Sequence, residues 1–354
     1  MKNVKGVGIM LFFVLLIGCK DEKSTPEKVI EKGVFSLTEL KGTQISDIEI
    51  FSSQYVNLVV VDTFLVVQKN QSPILQVFST KNYNLLVEAG NMGEGPEELK
   101  NPTLLNNTLQ STQNNSPIIQ VYDAGSRRIF QYNVLNLIDQ NEPFLNTIEL
   151  PLDETFDVSM VYFNNEDWLI LNPSEFNRFL IHSYKDSTQI LVPYPDKLDF
   201  EVDPYYKLFI YYSSVAMEAK KQQFFSGNLL LGELDLYDIK GNLIKSTKFQ
   251  ENSTLEKDIN TLPQNMNSYI SDIETDGNYM YALNNNNKLL NADKDEDRNN
   301  MQLLVFDMNG TLLKTLPFSD QKFITSIALD RQENKLYAYS LHEEKHNIFV
   351  YDLE

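Results

Sequence analysis

A repeat restricts the fold more than any other feature of this chain. Leu303-Leu304-Val305-Phe306-Asp307 runs into Met308-Asn309-Gly310 and then Thr311-Leu312-Leu313-Lys314. Leu234-Asp235-Leu236-Tyr237-Asp238 runs into Ile239-Lys240-Gly241-Asn242 and then Leu243-Ile244-Lys245, and Ile348-Phe349-Val350-Tyr351-Asp352 is the last copy. Apolar alternation followed by an Asn-Gly or Gly-Asn turn is a hairpin signal. Weaker copies lie at Leu75–Phe78, Arg128–Tyr132 and Phe179–His182. The residues closing the six copies are 79, 133, 183, 238, 307 and 352, at intervals of 54, 50, 55, 69 and 45. A period near 50 residues built only of strands and turns fits a propeller blade of four strands, whereas a single sandwich has no such period. The expected fold is all-β, a six-bladed β-propeller.

The last blade can be filled in: Phe323–Leu329, Lys335–Ser340 and Asn347–Asp352 supply three strands before the chain ends. An unpaired edge invites association, and propellers remove it by closing the ring. Val34–Leu40 alternates correctly, so the expectation is that it pairs with Phe349–Leu353 and completes the blade. The interval of 69 has a visible cause in the polar run Asn284–Asn300, placed between two strands of the fifth blade. Pro204–Tyr212, dense in aromatics, is expected to be the inner strand of blade four and its approach. Tyrosines at a channel mouth, able to stack on a sugar or peptide, are the alternative.

The N-terminus is a separate piece. Lys2 and Lys5 precede the almost unbroken apolar run Val7–Ile17, too short for a spanning helix and suited to a secretory signal. Leu16-Ile17-Gly18-Cys19 resembles the lipobox of bacterial lipoproteins, which implies a diacylglycerol on Cys19. That residue is the only cysteine of 354, so no disulfide can form within the chain. Lys20-Asp21-Glu22 is similar to the export signal of surface lipoproteins of Bacteroidota. The resulting division is 1–18 signal peptide, 19–33 lipidated cysteine and charged tether, and 34–354 propeller. The expected location is the outer membrane, surface-exposed or, alternatively, facing the periplasm.

Losing Lys2 and Lys5 with the signal moves the formal charge from −19 to −21. A polyanion of this kind is repelled by nucleic acid and by anionic lipid headgroups, so nucleic-acid binding is excluded and membrane contact runs through the anchor alone.

Two segments resemble a known group. Ile118–Ile129, with its Asp123-Ala124-Gly125 turn, is similar to NHL-type blades. Gly90-Asn91-Met92-Gly93-Glu94-Gly95-Pro96-Glu97-Glu98-Leu99 resembles the G-x-G-P-x-E segment of TolB-like six-bladed propeller lipoproteins. That resemblance implies a fold and an envelope location without an established reaction.

Three constellations suggest chemistry. His342-Glu343-Glu344-Lys345-His346 spells H-E-x-x-H, but zinc chemistry needs both imidazoles on one helix face. Here the strand sequence on either side makes the segment a turn, so His342, Glu343 and His346 form a chance match. Asp293, Asp295 and Asp297 match the start of a calcium loop. Arg298 and Leu304 stand where that loop has glycine and glutamate, so an acidic loop is the first reading and weak calcium binding the second. Gly90–Gly95 lacks a following Gly-Lys-Ser/Thr and is a permissive crossing between blades rather than a phosphate loop. No catalytic residue is named. The expected function is a binding or interaction module for a protein, peptide or glycan, monomeric and without a required cofactor. The alternative is a metal-dependent hydrolase or lyase with its site in the central channel.

Overall fold

The computed structural model describes residues 39–353 apart from 52–55, 96–97, 107–108, 111–115, 140–143, 151–160, 165–167, 172–176, 184, 199–201, 203, 251–266, 289–299 and 344. It is an all-β propeller of four-stranded blades. Sheet 1 is Asn57–Val61, Phe64–Gln68, Leu75–Ser79 and Leu85–Ala89, each strand antiparallel to the next. Sheet 3 is Val161–Asn164, Trp168–Leu171, Asn177–Ser183 and Gln189–Pro193. Sheet 4 is Ser213–Glu218, Gln223–Asn228, Glu233–Asp238 and Leu243–Lys248. Sheet 5 is Asn267–Thr275, Tyr279–Lys288, Gln302–Asp307 and Leu312–Pro317. Sheet 6 is Ile324–Asp330, Lys335–Ser340 and Ile348–Asp352, with Thr43–Gln44 as its fourth strand.

Where six four-stranded blades were expected, five sheets have four strands and sheet 2 has five. The extra piece of sheet 2 has a simple origin. Pro102–Leu104 and Leu109–Gln110 both pair with Pro117–Asp123, at successive registers, and are two halves of one interrupted inner strand. Arg128–Asn133 and Phe144–Glu149 follow outward, joined by the short helix α1 (Val134–Ile138).

All six repeat copies fall on the third strand of a sheet, and in four of them the closing residue accepts from backbone amides just after it. Asp238 accepts from the amides of Lys240 and Asn242, and Asp307 from those of Asn309 and Thr311. Ser79 does the same for Lys81, and Asn133 caps α1 through the amides of Leu135 and Asn136. A short polar side chain there satisfies the turn's own backbone donors. Gly241 and Gly310 follow with φ of 81° and 73°, where a side chain would be strained.

Burial is greatest in the middle of each sheet and least on its outer strand. Third strands are buried on both faces, as in Asn177–Ser183 and Glu233–Asp238, whereas the outer strands Leu85–Ala89 and Leu243–Lys248 are largely exposed. The core is accordingly a series of apolar layers between consecutive sheets. Val66, Val77, Ile119 and Phe130 join sheets 1 and 2, and Leu65, Phe78, Tyr337 and Tyr339 join sheets 1 and 6. Leu303, Ile327 and Tyr351 lie between sheets 5 and 6; Phe225, Ile270 and Phe306 between 4 and 5; Phe179, Phe224 and Tyr237 between 3 and 4.

Three expectations need correction. The segment pairing with the last strand is Thr43–Gln44, with Thr43 opposite Val350 and Gln44 opposite Phe349. Leu40 instead forms a parallel bridge with Phe318, and residues 34–38 lie outside the described ones. Alternation fixes which residues face inward but not which partner strand they meet. Pro204–Ile210 is the helix α2 rather than a strand, and the inner strand begins at Ser213. Proline suits a first helical turn, and Tyr206 and Ile210, one turn apart, pack with Leu230 and Leu231. Finally, Asn284–Lys288 still belongs to the second strand of sheet 5, so the insertion begins after Lys288.

The short fourth strand of sheet 6 yields a test. A chain beginning at Ile45 keeps Ile45, Ile48 and Ile50 in the core but loses the ladder to Ile348–Asp352. Loss of those bonds costs about 1–2 kcal/mol, so it is expected to melt several degrees below a chain beginning at Lys41. Equal melting temperatures would show that Thr43–Gln44 adds nothing to stability.

Candidate functional site

Strand order sorts the connections onto two faces. In an antiparallel four-stranded blade, the links between blades and the links from second to third strand emerge at one end; the remaining hairpins emerge at the other. Among the described residues, the first, or crossover, face carries 45–51, 90–95, 194–198, 204–212 and 341–343, whereas the turn face carries tight links such as 62–63, 219–222, 239–242 and 308–311.

On the crossover face between sheets 3 and 4, Arg178 is buried to 1% exposure at the start of a third strand. Its Nη1 donates to Asp235 Oδ2 at 2.6 Å and to the Tyr237 hydroxyl at 2.7 Å; its Nη2 donates to Ser226 Oγ and Asn228 Oδ1 at 2.9 and 2.8 Å. The guanidinium also lies over the Tyr211 ring, 5.3 Å from its centre. Lys197 donates to Glu233 Oε1, Asp235 Oδ1 and Ser246 Oγ. Burial opposes charge on Arg178 and Asp235, but their mutual attraction, with Lys197 beside Asp235, holds the first above and the second below the ordinary value. Burial and the Asp235 charge push Glu233 up. With two cations set against two carboxylates, the cluster has no excess charge to offer a ligand. It fastens the 194–212 connection to sheet 4, together with the Tyr211 hydroxyl bound to Pro195 O. This fixes α2, whose Phe209 is 49% exposed, and Tyr212 beside it, 40% exposed.

The second constellation lies among the inner strands. Asp272 of sheet 5 accepts from the amides of Ile273 (2.9 Å, Oδ1) and Ile327 of sheet 6 (2.9 Å, Oδ2). Asn106, from the interruption in the inner strand of sheet 2, donates to Asp272 Oδ1 at 3.3 Å. One carboxylate thus ties three inner strands together. Burial raises its pKa to about 6 against the pull of those donors and Ser326, and burial with the Asp272 charge pushes Glu274 well above the carboxylate range despite Arg331.

The structure disperses the sequence candidates. His342 lies in a turn with its ring against Phe323; Glu343 pairs with Lys322 at 2.7 Å; His346 has a φ of 51° outside any helix. Cys19, Lys20, Asp21, Glu22, Asp293, Asp295 and Asp297 lie outside the described residues. Among the described residues no three His, Cys, Asp or Glu side chains gather as a metal site would require, and no helix is long and apolar enough to cross a membrane. Between Gly90 and Leu99, Asn91–Met92 pairs in parallel with Glu98–Leu99, and the Glu98 carboxylate accepts from the Gly95 amide. Sequence reasoning missed Arg178, Lys197, Asp235 and Asp272, whose partners are distant in the chain. The buried Asp235 inside an otherwise apolar repeat was the one available signal.

Sheet order and connections define a propeller of four-stranded blades, and comparisons with known proteins agree with that class. No family profile matches the chain, and no curated protein matches it. A solved member of the DUF4221 family from Bacteroides vulgatus ATCC 8482 superposes on 89% of this chain and 96% of its own, with a TM-score of 0.53 and 13% identity. A protein from Bacteroides fragilis NCTC 9343, classed by its name as exported, covers 89% and 94%, with a TM-score of 0.51 and 14% identity. At these identities the likeness is one of fold.

The raised carboxyls set the direction of a pH dependence. Asp272 keeps its proton to a higher pH folded than unfolded, so its stabilisation is complete below about pH 4 and lost as pH rises through 6, on the order of 3 kcal/mol. Glu274 acts with the same sign. The melting temperature is expected to be higher at pH 5 than at pH 7.5, and the difference to shrink in Asp272→Asn. A wild-type protein more stable at pH 7.5 would contradict the assignment.

Proposed function

We propose that this chain is a lipid-anchored binding module whose crossover face holds a ligand or partner in the cell envelope. The observation that carries this is the asymmetry of the two faces. One end collects the inter-blade connections and an aromatic helix, with Lys197 and Tyr211 of the same connection set against the buried Arg178–Asp235 pair, while the other is mostly hairpin turns. Rigid scaffolds that gather loops at one end are where binding is built.

In this reading the five four-stranded sheets and the interrupted sheet 2 are six blades of one ring. Sheets 2, 1, 6, 5, 4 and 3 follow one another through shared apolar layers. The junction of sheets 2 and 3, joined by 151–160, closes the circle, and Thr43–Gln44 completes the last blade. The TolB-like resemblance favours such a ring. The exported class of the Bacteroides fragilis neighbour accords with an extracytoplasmic site, and the lipobox with attachment through Cys19, in the outer membrane and with Lys20-Asp21-Glu22 directing surface exposure. The enzyme reading would use groups brought to the axis by different blades, as Asn106 and Asp272 are. Asp272, however, already accepts from the Ile273 amide of its own strand, the Ile327 amide of sheet 6 and Asn106.

Wild-type protein is expected in the membrane fraction and Cys19→Ala in the soluble fraction. Capture of the lipidated protein from cross-linked envelopes is expected to bring one near-stoichiometric companion, depleted in a Phe209→Ala/Tyr212→Ala variant that melts like the wild type. Membrane retention of Cys19→Ala would remove the anchor from this account, and capture indifferent to the aromatic pair would move the binding face elsewhere.

A further inference from the structure

Resting on that reading, the crossover face narrows the partner to one class. Phe51, at the end of the described stretch 45–51, is 65% exposed, more than any other large apolar side chain among the described residues. Its backbone is nevertheless held. Asn347 binds both backbone groups of the preceding residue, accepting from Ile50 N at 3.0 Å and donating to Ile50 O at 2.8 Å. Gln71 donates to Phe51 O at 2.6 Å, and the Ile50 side chain is buried between sheets 1 and 6. The ring thus stands in water on a backbone fixed from two sides. An exposed aromatic on an ordered backbone loses little freedom on binding, which is the character of an interface anchor.

Phe209 and Tyr212, the other exposed aromatics of this face, belong to the connection between sheets 3 and 4. In a ring with sheets in the order 2, 1, 6, 5, 4 and 3, the junction of 6 with 1 lies opposite the junction of 3 with 4. Neighbouring sheets pack about 10 Å apart, so the two aromatic sites are on the order of 20 Å apart across the axis. A metabolite or a single sugar cannot touch both. Phe51 and Phe209 are phenyl rings without a polar edge, and they suit the apolar side chains of a protein better than the hydroxyls of a glycan. Charge narrows the choice further. On these two connections Asp47, Glu49 and Asp196 form no ion pair among the described residues, and Lys207 is the one cation left unpaired beside them. The whole chain carries −19. Its field attracts a basic surface and repels an acidic one or a nucleic acid.

We propose that the crossover face docks a basic folded protein that spans the axis and is anchored at two aromatic posts, Phe51 on one side and Phe209 with Tyr212 on the other. Asn347 and Gln71 are positioning residues for the first post, as Lys197 and Tyr211 are for the connection that bears the second.

A photoreactive benzoylphenylalanine replacing Phe51, Phe209 or, as a control, Leu85 in the full chain tests this in intact cells. Leu85 is 47% exposed but lies on the outer strand of sheet 1. One and the same protein is expected to be cross-linked from 51 and from 209, and not from 85. With that protein purified, Phe51→Ala is expected to weaken binding about tenfold and Phe51→Trp to preserve it. Added salt is expected to weaken it as well. Phe51→Ala removes an exposed ring, so the melting temperature should not change. Different proteins at the two positions, a glycan product at either, or binding that strengthens with salt would overturn the proposal. A protein cross-linked from 209 alone would remove the second post and leave the binding-module reading standing. Cross-linking from neither position would end both.

Discussion

Sheets here are apolar on both faces, and that governs the whole arrangement. In Pro117–Asp123 every residue is buried, so side chains pointing up and side chains pointing down both need a neighbouring layer. A two-layer sandwich would leave one of those faces in water. Burying a Val, Leu, Ile or Phe side chain is worth about 1.5–3 kcal/mol, and each described junction contains several of them. Stacking sheets side by side meets the demand everywhere except at the ends of the stack. Bending the stack into the proposed ring would remove the ends, leaving the outer strands as the exposed edges.

Against that apolar background the ion pair between sheets 3 and 4 is an exception with a purpose. A buried salt bridge is costly to desolvate and adds little net stability unless its remaining donors are satisfied. Both Arg178 Nη atoms are satisfied, each by two acceptors, while its buried Nε has none, and Asp235 is held from its other side by Lys197. What the arrangement adds over packed leucines is direction. Its directional bonds to Lys197 and its contact with Tyr211 hold two points of the 194–212 connection against sheets 3 and 4. The Asn106–Asp272 contact links sheets 2 and 5, which share no apolar layer.

How much of this was legible follows from the range of each interaction. The third strands could be read because the motif is local: the aromatic packs between sheets, and the polar residue after it satisfies amides two to four positions on, as Asp238 and Asp307 do. The last blade was legible for the same reason, its three strands falling within a residue of their expected limits. The closing strand was not, because Thr43–Gln44 carries no apolar residue to mark it as a strand, and the neighbouring Ile45, Ile48 and Ile50 pack in the layer between sheets 1 and 6. Helix α2 was mistaken for a strand since its aromatics suit either structure, and the cue was Pro204 at its start. Arg178 and Asp235, or Asn106 and Asp272, are 57 and 166 positions apart, and no spacing rule links such pairs.

The central claim is a ring in which sheets 2 and 5 face each other across the axis, and the Asn106–Asp272 hydrogen bond is its most specific consequence. A double-mutant cycle measures it directly: urea denaturation of the wild type, Asn106→Ala, Asp272→Ala and the double variant at pH 7.5. The account expects the two substitutions to be coupled by about 1 kcal/mol, the double variant being less destabilised than the sum of the singles. Strict additivity, within about 0.3 kcal/mol, would mean that the two residues do not meet and that the inner strands are not arranged around a common axis as described.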